Sequence, residues 1–218
     1  MISSHVRSVN IGPGVPSPHT SAPTTGIDKR PVDQVEVRDP GPKHGGLGSG
    51  CAGDTIGDQR HHGGRTQAVY AYAREDLDWW QEQLGRPLRD GAFGENLTTV
   101  GVDCTTARIG EVWRVGTAVL RVEVPRIPCR TFAGHMGIPG WVRRFTEVGR
   151  TGAYLSVVTP GTIRAGDRVT IERPEHDITL LLNFRGATGD REAAERVLDA
   201  RVLAPDEHDW LADRVGRR

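Results

Sequence analysis

Apolar and polar residues alternate along several short stretches of the chain, a pattern that is typical of strands with one buried face. Turns rich in glycine and proline separate these stretches, so the chain changes direction often. Gly116-Thr117 joins two of them and predicts a tight hairpin with glycine at a position of positive φ. The alternation predicts strands at residues 6–11, 31–37, 68–72, 111–115, 118–124, 149–155 and 164–171.

Five other segments repeat apolar residues every three or four positions, which predicts helices with one buried face. Two of them lie between the strands, and three follow Pro174. Asp190 stands where it would cap one of the later helices. The predicted helices occupy residues 74–84, 139–149, 177–184, 190–203 and 205–215.

Together these elements predict a mainly β protein. Residues 1–174 would form an antiparallel sheet, closed into a barrel or folded as a sandwich, with helices at its edges. Residues 175–218 would form a short C-terminal helical segment, either a separate mini-domain or a clamp on the sheet. The 28 glycines and 14 prolines suit a sheet protein with many turns.

Composition narrows the class of protein. The 28 basic and 28 acidic residues cancel, so neither a nucleic-acid partner nor a membrane surface is expected. No apolar run approaches the roughly 20 residues that span a bilayer, and the first residues lack the apolar core of a signal peptide. The three cysteines are scattered and form no disulfide framework. We therefore expect a soluble cytoplasmic protein.

The segment 124–132, VPRIPCRTF, is the stretch with the clearest chemical potential. Arg126 and Arg130 put positive charge near Cys129, which stabilises a thiolate and lowers the thiol pKa. Pro125 and Pro128 predict a stiff loop that leaves the preceding strand. A stiff loop with an activated thiolate suits a soft metal ion or covalent chemistry. The alternative is an ordinary cysteine that packs at a strand end.

Two further segments are candidates for a binding site. His61 and His62 precede Gly63-Gly64, where backbone amides could approach a ligand closely. Adjacent histidines of a strand point to opposite faces, so they rarely chelate one ion together.

The segment 93–99 carries Glu95, a candidate general base, beside Asn96, which both donates and accepts hydrogen bonds. The alternative for it is a plain turn. Cys104 is a poor nucleophile beside Asp103, and Cys51 has no basic neighbour.

The order of these pieces resembles the MOSC domain, the C-terminal domain of molybdenum cofactor sulfurases, and most closely its stand-alone YiiM-type branch. No single piece is specific, but seven in the right order are. The pieces are 8–12 (SVNIG), 25–32 (TGIDKRPV), 57–64 (GDQRHHGG), 93–97 (FGENL), 109–111 (IGE), 125–129 (PRIPC) and 166–167 (GD). The C-terminal helices also match this branch, whose members carry three short helices after the barrel.

The resemblance implies a β-barrel fold, binding of the molybdenum cofactor, and reduction of N-hydroxylated compounds such as hydroxylaminopurines and amidoximes. It implies that Cys129 is the molybdenum ligand. At the level of the family, the resemblance also implies pyridoxal phosphate binding. The candidates for binding the cofactor's phosphate are Arg126, Arg130 and Arg150, with the backbone of Gly63-Gly64. Glu95 and Asn96 are the candidates for binding the edge of the pterin. His61 or His62 could supply protons.

Other assignments remain open at this point. The protein could be a non-catalytic carrier of the cofactor or of a persulfide on Cys129, or a zinc protein that uses His61 or His62 with Cys129, although the spacing matches no standard zinc pattern. The chain has no cysteine cluster for an iron–sulfur centre and no dinucleotide fingerprint. An enzyme would therefore need an electron-donor redox protein or reductase. The substrate would be a small N-hydroxylated molecule, and monomer and homodimer are both open.

Overall fold

The computed structural model describes residues 3–20 and 22–216, and over them the chain forms ten strands and six α-helices. The strands are β1 (His5–Ile11), β2 (Arg30–Val32), β3 (Gln34–Val37), β4 (Val69–Ala73), β5 (Leu97–Val100), β6 (Val112–Val115), β7 (Ala118–Pro125), β8 (Ala153–Thr159), β9 (Gly161–Arg164) and β10 (Val169–Glu172). The helices are α1 (Arg74–Leu84), α2 (Arg130–Met136), α3 (Trp141–Val148), α4 (Leu180–Thr188), α5 (Arg191–Ala200) and α6 (Pro205–Gly216).

Eight strands form one mixed sheet in the order β10-β6-β7-β8-β4-β5-β1-β2, and β3 pairs with β9 separately. Only the β4–β5 pair in this sheet is parallel. The predicted hairpin is confirmed: β6 and β7 pair antiparallel around Gly116, whose φ is 56°. Because this order runs from β10 at one edge to β2 at the other, the sheet brings distant parts of the chain into one layer.

The sheet does not close into the barrel that the sequence predicts. The outer edge of β1 is taken by β2 from Val9 to Ile11. The beginning of β1 reaches the other end of the sheet through an isolated bridge between His5 and Arg168 and through backbone hydrogen bonds of Val6 with Gly166 and Asp167, but no ladder of paired strands forms there. With six helices around an open sheet, the description as mainly β is only roughly right.

The two helices predicted between strands are confirmed. α1 has the predicted bounds and ends at Gly85 in the left-handed conformation, where the Gly85 N–H bonds to the Glu82 carbonyl. α3 begins at Trp141, two residues later than predicted, and ends at Gly149 with φ 73°. The buried rings of Trp80 and Trp141 lie 4.8 Å apart, so these helices share one aromatic core.

One helix was missed. The sequence predicts a loop after Cys129, but Arg130–Met136 forms α2, and Cys129 is its N-cap with extended backbone (φ −124°, ψ 172°). The Phe132 ring of α2 is fully buried and lies 5.5 Å from the Trp141 ring. The short helix is therefore fixed by packing against the aromatic core, which its own seven residues do not reveal.

The C-terminal helices pack on the sheet. Leu180, Val197 and Leu211 belong to the same hydrophobic cluster as Val122 of β7 and Leu155 of β8. The predicted cap is confirmed, since the Asp190 carboxylate accepts from the Ala193 N–H at 3.1 Å. α4 runs from Leu180 to Thr188, a few residues later than predicted. A domain boundary at residue 174 stays a prediction. No helix among the described residues is long and apolar enough to cross a membrane.

Candidate functional site

Cys129 lies at the junction between β7 and α2, where a strand on the sheet gives way to a helix on the aromatic core. Its side chain is half-buried. Burial alone would raise the pKa of the thiol, but a hydrogen bond from His62, the charges of Arg126 and His62, and the Phe132 N–H lower it to about 6. The thiol is therefore mostly thiolate at neutral pH, which is the form that binds soft metals and attacks electrophiles.

The two adjacent histidines have different environments. His62 faces the thiol and contributes to its low pKa. The side chain of His61 is 72% exposed, and its Nδ1 lies 2.9 Å from Asp58 Oδ2. The structure thus brings His62, and not His61, to Cys129.

Arg126 supplies buried positive charge beside the thiol. It is 6% exposed, and its Nη1 donates to the Phe93 carbonyl. Its guanidinium lies 5.0 Å from the centre of the Tyr70 ring and 4.0 Å from that of Phe132. Burial alone would lower the pKa of Arg126, but Tyr154, Tyr70 and Cys129 raise it. Arg126 forms no salt bridge with a carboxylate of the described residues, so its charge is available to the thiolate or to a bound anion.

Two cavities meet near the thiol. A small one of about 80 Å³ is lined by Cys129 and Arg126, together with Thr20, Thr25, Thr55 and Thr131. A larger one of about 720 Å³ runs between the sheet and the C-terminal helices. His62 and Tyr154 line both, so they lie between the thiol and the larger space.

The larger cavity has walls of different character. Basic residues come from the segments before β4, and acidic residues come from the beginning of α6. Val124, Pro125 and Ile127, which lead toward the thiol, supply an apolar floor. The residues that line these walls include Lys43, His44, Arg60, His61, Gly63, Arg65, Thr66, Asn183, Asp206, Glu207 and Trp210.

Gly63 and Gly64 are needed for chain packing. Both have φ of 80°. A Cβ at Gly63 would lie 2.6 Å from the Gly48 carbonyl oxygen, and one at Gly64 would lie 2.7 Å from the Lys43 backbone. The Gly64 N–H donates to Gly48 at 2.9 Å, and the Gly63 N–H to Gln67 Oε1 at 3.3 Å. Both backbone amides therefore bond within the protein. The absence of a side chain at each glycine lets the loop 41–53 pack closely against this segment.

Glu95 and Asn96 lie inside the fold, away from both cavities. Glu95 is fully buried and accepts from the Gly91 and Phe93 amides and the Thr98 hydroxyl. Burial raises the pKa of Glu95, while these hydrogen bonds lower it, and the net shift is upward. The Asn96 side chain accepts from the Tyr70 N–H and donates to Asn10 and Asp54. These groups brace strands, and the structure does not bring them to the thiol.

Two of the predicted arginines also lie elsewhere. Arg150 bonds to Asp76 and lies 4.6 Å from the Trp79 ring, on a third cavity that shares no lining residue with the other two. Arg130 is exposed in the first turn of α2 and lines none of the three cavities. Of the arginines proposed from the sequence, only Arg126 contributes to the site.

The other two cysteines are not reactive candidates. Cys51 and Cys104 are buried, and burial raises the pKa of both thiols. This agrees with the reading of Cys104 as a poor nucleophile. Within the described residues, no group of three or more His, Cys, Asp or Glu side chains is placed to hold a metal ion. The zinc alternative therefore lacks a ligand set there.

Sequence reasoning missed two residues of the site. Tyr154 stacks on Tyr70 with ring centres 4.7 Å apart, and its hydroxyl makes no hydrogen bond to a described residue. Asn183 of α4 is 4% exposed and lines the larger cavity. Neither lies in a motif near Cys129, and only the fold brings them there.

Comparison with known proteins places the chain in a family. The sequence model of the MOSC domain matches residues 58–170. YflK of Bacillus subtilis, an uncharacterised protein, is 35% identical over 199 residues, which cover 89% of this chain and 85% of YflK. A protein named reductase from Gibberella moniliformis is 36% identical over 52% of this chain, but the match spans only 21% of the fungal chain.

A solved structure gives the same result. The crystal structure of YiiM from Geobacillus stearothermophilus superposes with a TM-score of 0.76 at 25% identity, over 97% of this chain and 99% of that one. The chain therefore belongs to the MOSC domain family. Within it, the chain is similar to the YiiM proteins.

Proposed function

We propose that this protein binds the molybdenum cofactor through Cys129 and reduces N-hydroxylated compounds such as amidoximes and hydroxylaminopurines. The observation that carries the proposal is the half-buried thiol with a pKa of about 6, in a small chamber that shares His62 and Tyr154 with a cavity of about 720 Å³. Membership in the MOSC family supports this choice among the reactions open to a thiolate.

The donor set fits this cofactor. Because the described residues offer no cluster of three metal-binding side chains, a metal here would have to bring most of its own ligands. A molybdenum ion held by the two sulfurs of its pterin needs one more soft ligand from the protein, and a thiolate is soft. Cys129 would supply that ligand, and the cavity beside it gives room for the pterin.

When bound, the cofactor would supply the two-electron chemistry that breaks an N–O bond. The chain's own residues hold the site in readiness. Arg126 and His62 keep Cys129 ionised, while Pro125 and Pro128 limit movement of the loop that carries it. His62 also lines the larger cavity, so its imidazole is placed to exchange a proton with a bound substrate.

Electrons would come from a separate redox protein or reductase, since the chain has no cysteine cluster for an iron–sulfur centre. The protein named reductase that matches this chain along 21% of its own length has ample chain for further parts. We infer that such a donor passes electrons to the cofactor.

Elemental analysis of protein from a host that makes the molybdenum cofactor tests the proposal. The wild type should contain close to one molybdenum atom per chain and reduce benzamidoxime with a chemical electron donor. Cys129→Ala should lose both, because the thiolate is the only ligand that the protein supplies.

Cys51→Ala is the matched control, since its thiol is buried and lines none of the three cavities. It should retain metal and activity. Molybdenum and reductase activity that persist in Cys129→Ala would refute the assignment.

A second function is favoured by one observation, the small cavity of about 80 Å³ on the thiol side of His62 and Tyr154. A thiolate in a chamber this small suits a non-catalytic carrier that holds sulfur as a persulfide. Intact-mass analysis distinguishes the two functions. A chain heavier by one sulfur atom at Cys129, with no molybdenum and no reductase activity, would favour the carrier.

A further inference from the structure

Asn183 is a buried polar side chain without a partner. It lies on α4, is 4% exposed, and lines the larger cavity. Its backbone N–H bonds to the Thr179 carbonyl at 3.1 Å as part of the helix. Its carboxamide, however, neither donates nor accepts a hydrogen bond within the described part of the chain. Among the described residues, only Trp141 Nε1 is a fully enclosed side-chain polar atom without a partner, so the Asn183 amide is accessible from the cavity and free to bond a molecule held there.

The buried asparagines on the sheet show the contrast. The Asn10 carboxamide accepts from the Ser8 hydroxyl at 2.8 Å and donates to Thr98 at 3.2 Å. The Asn96 carboxamide makes three hydrogen bonds. Only Asn183 of these three faces an open cavity, and only its amide lacks partners.

A second polar group without a partner faces the same space. The Tyr154 hydroxyl makes no hydrogen bond to a described residue, whereas the hydroxyls of Tyr70 and Tyr72 donate to the carbonyls of Thr151 and Arg150. Tyr154 also lines the thiol chamber, so it borders both the cavity that Asn183 lines and the surroundings of Cys129.

The chemistry of a carboxamide narrows the ligand. Its oxygen accepts and its NH₂ donates, side by side in one plane. The complementary edge carries a donor and an acceptor side by side in one plane, as N6–H and N7 of adenine do when they pair with asparagine. Amidoximes and hydroxylaminopurines carry such an edge, and so does a pterin.

We propose that Asn183, assisted by the Tyr154 hydroxyl, binds the planar amidine-type edge of a molecule held in the larger cavity. This inference rests on the proposed function, which supplies two molecules with such an edge: the N-hydroxylated substrate and the pterin of the cofactor. Either way, the C-terminal helical segment contributes a recognition residue to the site.

Asn183→Leu tests the proposal because leucine has a similar side-chain volume but cannot form hydrogen bonds to a ligand in the cavity. Three quantities are measured on the full chain: molybdenum per chain, the KM for benzamidoxime reduction, and the Kd for benzamidoxime by calorimetry without an electron donor. Loss of a paired donor and acceptor should weaken binding by about 10- to 100-fold. Tyr154→Phe, which keeps the ring stacked on Tyr70, should cause a smaller loss of the same kind.

The two sources give different results. If the substrate is bound, Asn183→Leu keeps its molybdenum while KM and Kd rise. If the pterin is bound, the molybdenum content falls several-fold. Unchanged molybdenum, KM and Kd would overturn the proposal. If the wild type contains no molybdenum, the proposed function fails, and the calorimetric Kd alone then decides the role of Asn183.

Thermal unfolding excludes a merely structural role. Because the Asn183 amide has no protein partner to lose, Asn183→Leu should leave Tm unchanged or raise it. Asn10→Leu is the matched control and should lower Tm, since it removes the acceptor of the Ser8 hydroxyl and one of the two hydrogen bonds of the Thr98 hydroxyl. A fall in Tm for Asn183→Leu as large as that for Asn10→Leu would contradict a binding role.

Discussion

The low pKa of the Cys129 thiol depends on two residues, Arg126 and His62, which lie at very different distances from it along the sequence. Arg126 is three residues away, so the segment 124–132 was enough to predict a cation beside the thiol. His62 comes from a loop 67 residues earlier, and no spacing rule connects it to Cys129. The sequence suggested a histidine near the site but left open which of the pair it was. Burial decides that, because His61 bonds to Asp58 at the surface.

The pH dependence of alkylation tests this environment. Since the folded thiol has a pKa of about 6, its reaction with iodoacetamide should rise through pH 6 and level off by about pH 7 to 8. An ordinary thiol would continue to gain rate up to pH 9. His62→Ala removes the hydrogen bond that favours the thiolate, so the midpoint should move upward.

His61→Ala is the control for that measurement and should leave the midpoint unchanged, because His61 contacts Asp58 and not the thiol. An equal shift in both variants would mean that His62 does not act on Cys129 directly.

Residues without partners were the least predictable part of the site. A sequence shows that position 183 is asparagine, but it does not show whether the amide finds partners after folding. Conversely, the sequence predicts Glu95 and Asn96 as site residues, but in the fold their side chains form internal hydrogen bonds to backbone amides. Local patterns identify candidate groups, whereas availability depends on contacts between distant segments.

At the scale of elements, periodicity located the long segments well and the short ones poorly. α1 was predicted with its observed bounds because it has a full apolar face and a glycine at its end. α2 was missed because its seven residues follow two prolines and contain a glycine. That glycine, Gly134, leaves room for His19, since a Cβ there would lie 2.2 Å from the imidazole. Tertiary contact therefore overrides weak local propensity here.

Close packing of α4 and α5 sets the position of Asn183. Gly186 is buried in α4, and a Cβ there would lie 2.7 Å from Cα of Ala194 in α5. Gly186→Ala should force the two helices apart and reduce the free energy of unfolding by about 1–3 kcal/mol. For a chain of this size, that corresponds to a fall in Tm of roughly 2–4 °C per kcal/mol.

Gly216→Ala provides the comparison, because Gly216 also lies in a helix and a Cβ there would have no neighbour within 4 Å. Its Tm should stay the same or rise slightly. If Gly186→Ala were equally neutral, the contact between α4 and α5 would not be as close as described.

At the scale of the whole molecule, the C-terminal helices and the sheet share one hydrophobic cluster. The Ile109 N–H bonds to the Ile178 carbonyl at 3.0 Å, and the Leu180 N–H bonds to the Ala107 carbonyl at 2.9 Å. These backbone bonds tie the start of the helical segment to the loop before β6. The change in sequence texture after Pro174 was visible, but the extent of this contact was not, because it depends on pairing between distant parts of the chain.

Truncation after Pro174 tests whether the predicted boundary separates independent units. The full chain should unfold in one cooperative thermal transition, since both parts share a core. The truncated chain should lose solubility or unfold at a much lower temperature, because Val122 and Leu155 would lose their buried partners. A truncated chain with the same Tm as the sheet transition of the full protein would instead support two independent domains.

The unequal burial of the three cysteines has a consequence for the life of the protein under oxidative stress. Peroxide attacks thiolates that it can reach, and further oxidation to sulfinic acid is irreversible for most proteins. Cys51 and Cys104 are protonated and enclosed, so oxidation should be directed to Cys129. Without a bound ligand on its sulfur, the chain would then lose its reactive group while its fold stays intact. Damaged molecules would accumulate as well-folded, inactive protein that quality control based on unfolding does not detect.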